Sequence, residues 1–153
     1  MKEHTICLAA SAGGHISQLL KLSDAWQESN VFFVTTTEVL RSKLQKRAPS
    51  YFVGESNRNN ARKAFGVLYK CIKIILKEKP TIVISTGALH GCLLCILAKV
   101  ICNAKIIWID SITNVDKPSL SGRIIYHFSD LFIFQWPEHR KRYPKGEFVG
   151  CII

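Results

Sequence analysis

Two hydrophobic periods take turns along this chain. Short, nearly unbroken apolar runs predict strands near Thr5–Ala10, Val31–Thr36, Tyr51–Val53, Thr81–Ser85, Lys105–Asp110, Leu131–Phe134 and Glu147–Gly150. Between them, apolar residues recur at helical spacing and predict helices over His15–Glu28, Glu38–Lys46, Asn60–Glu78, Leu89–Cys102, Leu120–His127 and Glu138–Arg142. Strands without polar alternation are buried on both faces, and their regular exchange with helices predicts an α/β fold. The expected architecture is a Rossmann-like parallel sheet with helices on both faces. Ligands of such sheets bind outside the carboxyl ends of the strands.

Three of those ends are polar or glycine-rich. The first strand stops at Ser11-Ala12-Gly13-Gly14-His15, the fourth at Ser85-Thr86-Gly87, and the fifth at Asp110-Ser111-Ile112-Thr113-Asn114. The first is a strand, a glycine turn and a helix start. Its glycines leave room for a ligand, and the first amides of the helix carry the positive end of the dipole, where a phosphate or diphosphate would sit. A tight connection whose glycines only permit close packing reads equally well from this stretch alone. His15 is the candidate catalytic residue: its neutral-range titration suits a general base for a sugar hydroxyl, a diphosphate ligand or a helix cap. Asp110 is the rival base, or a loop hydrogen-bond acceptor.

Composition narrows the classes. At 153 residues the chain reads as a single domain, 1–153, with 48% hydrophobic residues and room for a substantial core. The net charge of +10 suits nucleic acid, an anionic membrane surface or a phosphorylated ligand. No nucleic-acid-binding module is recognisable, and His139-Arg140-Lys141-Arg142 reads as a solvated helix end. The segment 60–79 carries Arg62, Lys63, Lys70, Lys73 and Lys77 on one side and Phe65, Leu68, Ile72, Ile75 and Leu76 on another. It reads as a surface helix packed on the sheet, with a membrane-surface role as the sharper alternative. The N-terminal apolar run is brief, carries Glu3 and His4, and leads straight into the glycine turn. It reads as a strand rather than a signal, which makes a cytoplasmic chain the expectation.

Six cysteines fall mostly in apolar patterns, and Cys92-x-x-Cys95 lies in an apolar helix without a second ligand pair, so no metal or redox role is expected. The remaining histidines, His4, His90, His127 and His139, have no metal-ligand spacing and read as structural. The dinucleotide pattern G-x-G-x-x-G and the P-loop G-K-[ST] are both missing. A nucleotide- or dinucleotide-binding oxidoreductase therefore stays a distant alternative, and no cofactor is expected.

Four segments in order, SAGGHISQLLKL, ISTG, DSITNVDKPSLSGR and FQWPE with YPK, resemble the acceptor-side subunits of split glycosyltransferases. These include PssD-type bacterial exopolysaccharide proteins and the eukaryotic subunit that helps add the second N-acetylglucosamine to the dolichol-linked precursor. The resemblance covers essentially the whole chain. It implies the N-terminal half of a GT-B fold, related to MurG, that binds a lipid-pyrophosphate-linked acceptor at the cytoplasmic face of a membrane. A separate donor-binding subunit would hold the UDP-sugar, with transfer by inversion and no metal. By position, Ser11, Gly13, Gly14 and His15 match the turn facing the acceptor diphosphate, Thr86 and Gly87 the fourth-strand loop, and Asp110, Ser111, Pro118, Ser119 and Gly122 the late acceptor loop. Departures are Asp110-Ser111 where the family commonly has Glu-Ser, Asn114 where it has arginine, and Ala-Leu-His-Gly after Gly87. Because no N-terminal anchor is visible, capsule or exopolysaccharide assembly is expected over dolichol chemistry. A non-catalytic membrane scaffold for the partner is the alternative.

Overall fold

The computed structural model describes residues 4–11, 13–26, 29–54 and 61–151. Six strands form one parallel sheet: β1 (Thr5–Ala10), β2 (Asn30–Thr35), β3 (Ser50–Phe52), β4 (Ile82–Ser85), β5 (Lys105–Ile109) and β6 (Leu131–Ile133), in the order β3-β2-β1-β4-β5-β6. The helices are α1 (Gly14–Lys21), α2 (Glu38–Leu44), α3 (Ala61–Glu78), α4 (Leu89–Cys102) and α5 (Leu120–Ile125). The expected Rossmann-like sheet is present. Strand order reverses between β1 and β4, which opens the crevice where such folds bind ligands.

The unbroken apolar strands serve two cores. Ile6, Leu8 and Ala10 of β1 join Ile16, Leu19, Phe33 and Leu44 beneath α1 and α2. Cys7 and Ala9 point the other way and join Val67, Cys71, Ile75, Leu94 and Trp108 beneath α3 and α4. Burying both faces is what removes polar alternation from the strands.

Three expectations are corrected. The first helix ends at Lys21 and a 3-10 turn, Ser23–Trp26, follows, while Gln27 and Glu28 lie outside the described residues, as does Asn60. The last predicted helix is a 3-10 turn, Pro137–Lys141. The seventh strand reduces to one parallel bridge between Ile133 and Glu147. Beyond it Phe148 and Val149 are exposed and Gly150 turns to φ 99°, so the segment has no face to bury and leaves the sheet.

The rotation of α3 is also corrected. Its packed stripe is Val67, Cys71, Ile74 and Ile75, whereas Phe65, Tyr69 and Leu76 are 71%, 67% and 54% exposed. Ile75 packs as expected, but positions 67, 71 and 74 follow helical period with it as well as 65, 68, 72 and 76 do, and only contact with α4 and the sheet selects between them. In α4, Cys92 and Cys95 are buried, and burial pushes both thiols up, away from the reactive thiolate.

Asp130, just before β6, ties three elements together. Its carboxylate accepts from Lys99 of α4 at 2.7 Å, Lys105 of β5 at 3.1 Å and the Ile106 N–H at 2.8 Å. Partial burial alone would raise its pKa, but the Lys99 bond, the Ile106 amide and Lys105 together hold it at about 2. A pKa below the unfolded value of about 3.9 stabilises the fold fully above that value and ceases to as pH falls through the folded one. Asp130→Asn is therefore expected to lower the thermal midpoint at pH 7, with the gap from the parent closing on acidification towards pH 2. Equal gaps at both ends of a pH series of melting curves would contradict it.

Candidate functional site

The turn after β1 is built on an unusual backbone. Gly13 sits at φ 89°, ψ −142°, open to glycine and strained for other residues, and it precedes the first residue of α1 without any side-chain cap. A Cβ at Gly13 or Gly14 would meet no atom of the described residues within 4 Å. These glycines therefore leave space in front of the helix rather than permit packing behind it. Both are exposed.

His15 turns from this helix start towards the end of β4. The buried Thr86 donates its hydroxyl proton to the His15 carbonyl at 2.8 Å and so locks the first turn of α1 onto the β4 loop. Gly87 lies so close to the imidazole that an added Cβ would stand 2.6 Å from its Cε1. Glycine is required there by the approach of the ring. The Nδ1 of His15 is buried without a hydrogen-bond partner among the described residues, so no carboxylate orients the ring. Next to it Ala88 adopts φ 65°, ψ 157°, a conformation that costs a non-glycine residue about 1–3 kcal/mol. Strain of that kind concentrates at functional sites.

The opposite wall is the loop from β5 to α5. Asp110, 2% exposed, spends its carboxylate on this loop. Oδ1 accepts from the Ser119 hydroxyl at 3.0 Å and Trp108 Nε1 at 3.3 Å, and Oδ2 from Asn114 Nδ2 at 2.9 Å and the Ser119 N–H at 3.3 Å. Four donors leave it no free lone pair aimed at a ligand, which makes it the loop acceptor rather than the rival base. Ser119 caps α5 by accepting the Gly122 N–H at 2.9 Å, in the expected manner of a helix start.

These walls enclose a cleft of about 220 Å³ lined by His15, Thr86, Gly87, Ala88, Asp110, Ser111, Thr113, Asn114, Ser119 and Ser121. Six of the sequence candidates are thus together: His15, Thr86, Gly87, Asp110, Ser111 and Ser119. Five are not on the wall. Ser11, Gly13 and Gly14 stand beside it at the helix start, Pro118 is buried within the loop, and Gly122 lies behind Asp110. Thr113 and Asn114 belong to the polar strand end read from the sequence without being singled out for a role, Ala88 was weighed only as part of a departure, and Ser121 was given no role. Gln135, Trp136 and His139 were also missed: each donates to a carbonyl of the same loop, and the 4%-exposed His139 is no solvated helix end. The run FQWPE carried that signal, but nothing in it says what the side chains reach. Among the described residues no Lys or Arg lines the cleft. A larger hollow of about 360 Å³, beside Trp26 and Arg47, opens at the amino ends of β2 and β3 and shares none of these groups. Among the described residues no cluster of three or more His, Cys, Asp or Glu could hold a metal ion.

Known proteins share this frame. Residues 36–152 match the family described as "Oligosaccharide biosynthesis protein Alg14 like". The human "UDP-N-acetylglucosamine transferase subunit ALG14" is 27% identical over 97% of this chain and 83% of its own length. Its counterpart from Yarrowia lipolytica is 26% identical over 85% of this chain and 63% of its own. Among solved structures, Acinetobacter baumannii MurG superposes with a TM-score of 0.66 at 15% identity, over 88% of this chain and 42% of that one. The UDP co-structure of Staphylococcus aureus MnaA gives 0.70 at 13% identity, over 97% and 45%. The chain spans less than half of each solved chain, and at such identity the likeness shows the fold: one Rossmann-like half of a GT-B architecture. These relatives give no support to the expectation of capsule or exopolysaccharide assembly. With more than two-thirds of its length covered by the family match, the chain belongs to the Alg14-like oligosaccharide biosynthesis proteins.

Proposed function

We propose that this chain is the acceptor-side subunit of an inverting glycosyltransferase. The pair would move N-acetylglucosamine from UDP-N-acetylglucosamine to a lipid-diphosphate-linked sugar during oligosaccharide assembly. The observation that carries this reading is the cleft at the β1/β4 switch point. There a glycine-opened helix start, His15 and the hydroxyls of Ser111, Thr113 and Ser121 converge. Hydroxyls and amides suit sugar and diphosphate oxygens, and the helix start favours negative charge. His15 then serves as diphosphate donor or as base; its orphaned Nδ1 favours the donor role, since a base accepting at Nε2 would have to hold its resting proton on Nδ1, where no acceptor among the described residues meets it.

Peripheral attachment to an anionic membrane belongs to the same reading. No helix among the described residues is long and apolar enough to cross a bilayer. The exposed Phe65, Tyr69 and Leu76 of α3 stand among the exposed Lys63, Lys70, Lys73 and Lys77. Apolar insertion beside cationic residues is the pattern of interfacial binding.

Co-purifying the chain with its donor-binding partner should give transfer at least about a hundredfold above either chain alone, because the cleft needs both walls to position the reactants. Full transfer by the isolated chain, or none from a verified pair, would refute the reading. In flotation with vesicles containing phosphatidylserine, the double variant F65S/L76S should bind about tenfold more weakly than the parent. Unchanged flotation would remove α3 from the membrane role, and membrane binding without any effect on transfer would favour the scaffold alternative.

A further inference from the structure

The acceptor loop, residues 110–119, makes few backbone hydrogen bonds of its own. Among the described residues one turn bond joins the Asn114 N–H to the Ser111 carbonyl at 3.1 Å, and the Ser111 and Thr113 hydroxyls pair at 2.9 Å. The Asp110 carboxylate ties Asn114 and Ser119 to the start of the loop, leaving the carbonyls of residues 110, 112 and 115 for a neighbour to hold. The segment that leaves β6 does so at three points. Gln135 Nε2 donates to the Asp110 carbonyl at 3.0 Å, Trp136 Nε1 to the Ile112 carbonyl at 2.7 Å, and His139 Nε2 faces the Val115 carbonyl at 2.9 Å.

The spacing of these donors follows from the local backbone. Trp136 is extended, and Pro137 at the first position of the 3-10 turn brings the chain round so that His139 returns to the loop. Gln135 and His139 are 1% and 4% exposed. A carbonyl can only accept, so His139 must carry its proton on Nε2. Its Nδ1 is buried without a partner among the described residues, and the ring packs edge-on against Phe134 at 5.9 Å. The geometry therefore selects the Nε2–H tautomer.

We propose that Gln135, Trp136 and His139 are positioning residues for the acceptor: they touch no ligand, and act by holding the carbonyls of residues 110, 112 and 115 so that Ser111, Thr113 and Asn114 face the cleft ready-shaped. The inference rests on the proposed acceptor role of that cleft. A loop shaped before binding need not be ordered by the ligand, so its stays contribute to acceptor affinity and leave donor affinity alone.

Two readouts test it on the full chain with its partner. The double variant W136F/H139F keeps an aromatic ring at both positions and removes two donors, and H139Q restores an N–H at similar reach. In amide hydrogen exchange the double variant should speed exchange over residues 111–117 by about tenfold while β1 and β4 keep their protection. In transfer assays with a short-chain prenyl-diphosphate N-acetylglucosamine as acceptor, it should raise the acceptor KM about three- to tenfold, with kcat and donor KM within about twofold. H139Q should lie close to the parent in both. Unchanged loop exchange, faster exchange with an unchanged acceptor KM, or H139Q as impaired as the double variant would each overturn the inference. If the parent pair transfers no sugar, the functional reading fails instead, and loop exchange still decides whether these side chains hold the loop.

Discussion

His15→Ala is expected to reduce kcat/KM of the assembled transferase by about a hundredfold or more, the scale of losing a positioned acid–base group or a charge-assisted phosphate contact. The imidazole lies against Gly87, and the loop from Asp110 to Ser119 lines the same cleft. Its main-chain carbonyl is separately held by Thr86, so the variant removes the ring without releasing the helix start. Steady-state kinetics at varied acceptor then separate the two duties. A fall in kcat at saturating acceptor assigns proton transfer, and a rise in acceptor KM alone assigns diphosphate binding. The missing partner on Nδ1 leads us to expect the second pattern. Kinetics indistinguishable from the parent would take His15 out of the site.

The second large effect is expected at a residue no ligand touches. Gly122 lies in the first turn of α5 with its α-carbon against the Asp110 carboxylate. A Cβ there would stand 2.7 Å from Asp110 Oδ1, 3.0 Å from Ser119 Oγ and 3.3 Å from Trp108 Nε1. None of these atoms is the end of a flexible chain, because each is bonded into the same network. Gly122→Ala must push Asp110 aside or shift α5, and should cost about 2–3 kcal/mol from overpacking and weakened hydrogen bonds. For a chain of this size that is a fall in thermal midpoint of about 5–10 °C. Transfer should fall with it even below the melting range, since Asp110 holds both ends of the acceptor loop. Gly66→Ala is the control: in mid-α3 a Cβ meets nothing within 4 Å, and the change should be neutral or stabilising by up to about 1 kcal/mol. Calorimetry that finds the two variants alike would show that Asp110 and α5 have slack the geometry does not suggest.

Both predictions concern contacts between segments far apart in sequence, and here the reach of sequence reading can be judged. The unbroken apolar strands named the sheet because burial on both faces leaves no alternation, and β1, β4 and β5 fall within a residue or two of expectation. The glycine turn after β1 was legible, though whether its glycines leave space or permit packing was not. That answer came from the empty volume around Gly13 and Gly14. Asp110 was found by type and place, since a carboxylate at a strand end is conspicuous. Its role was not, because a sequence shows the acceptor and hides the four donors that occupy it.

By itself, then, the amino-acid sequence determined the α/β class, the order of elements and which strand ends are polar or glycine-rich, because these follow from local periodicity and residue type. The tertiary structure alone decided the rest. It chose which face of α3 is packed, leaving Phe65, Tyr69 and Leu76 outside, because two apolar stripes of equal period differ only in what they meet. It ended the seventh strand at one bridge, since pairing needs a neighbour and a covered face. It set His15 against Gly87 and His139 beneath Val115, because hydrogen bonds and ring contacts depend on distances across the sheet that no spacing along the chain encodes.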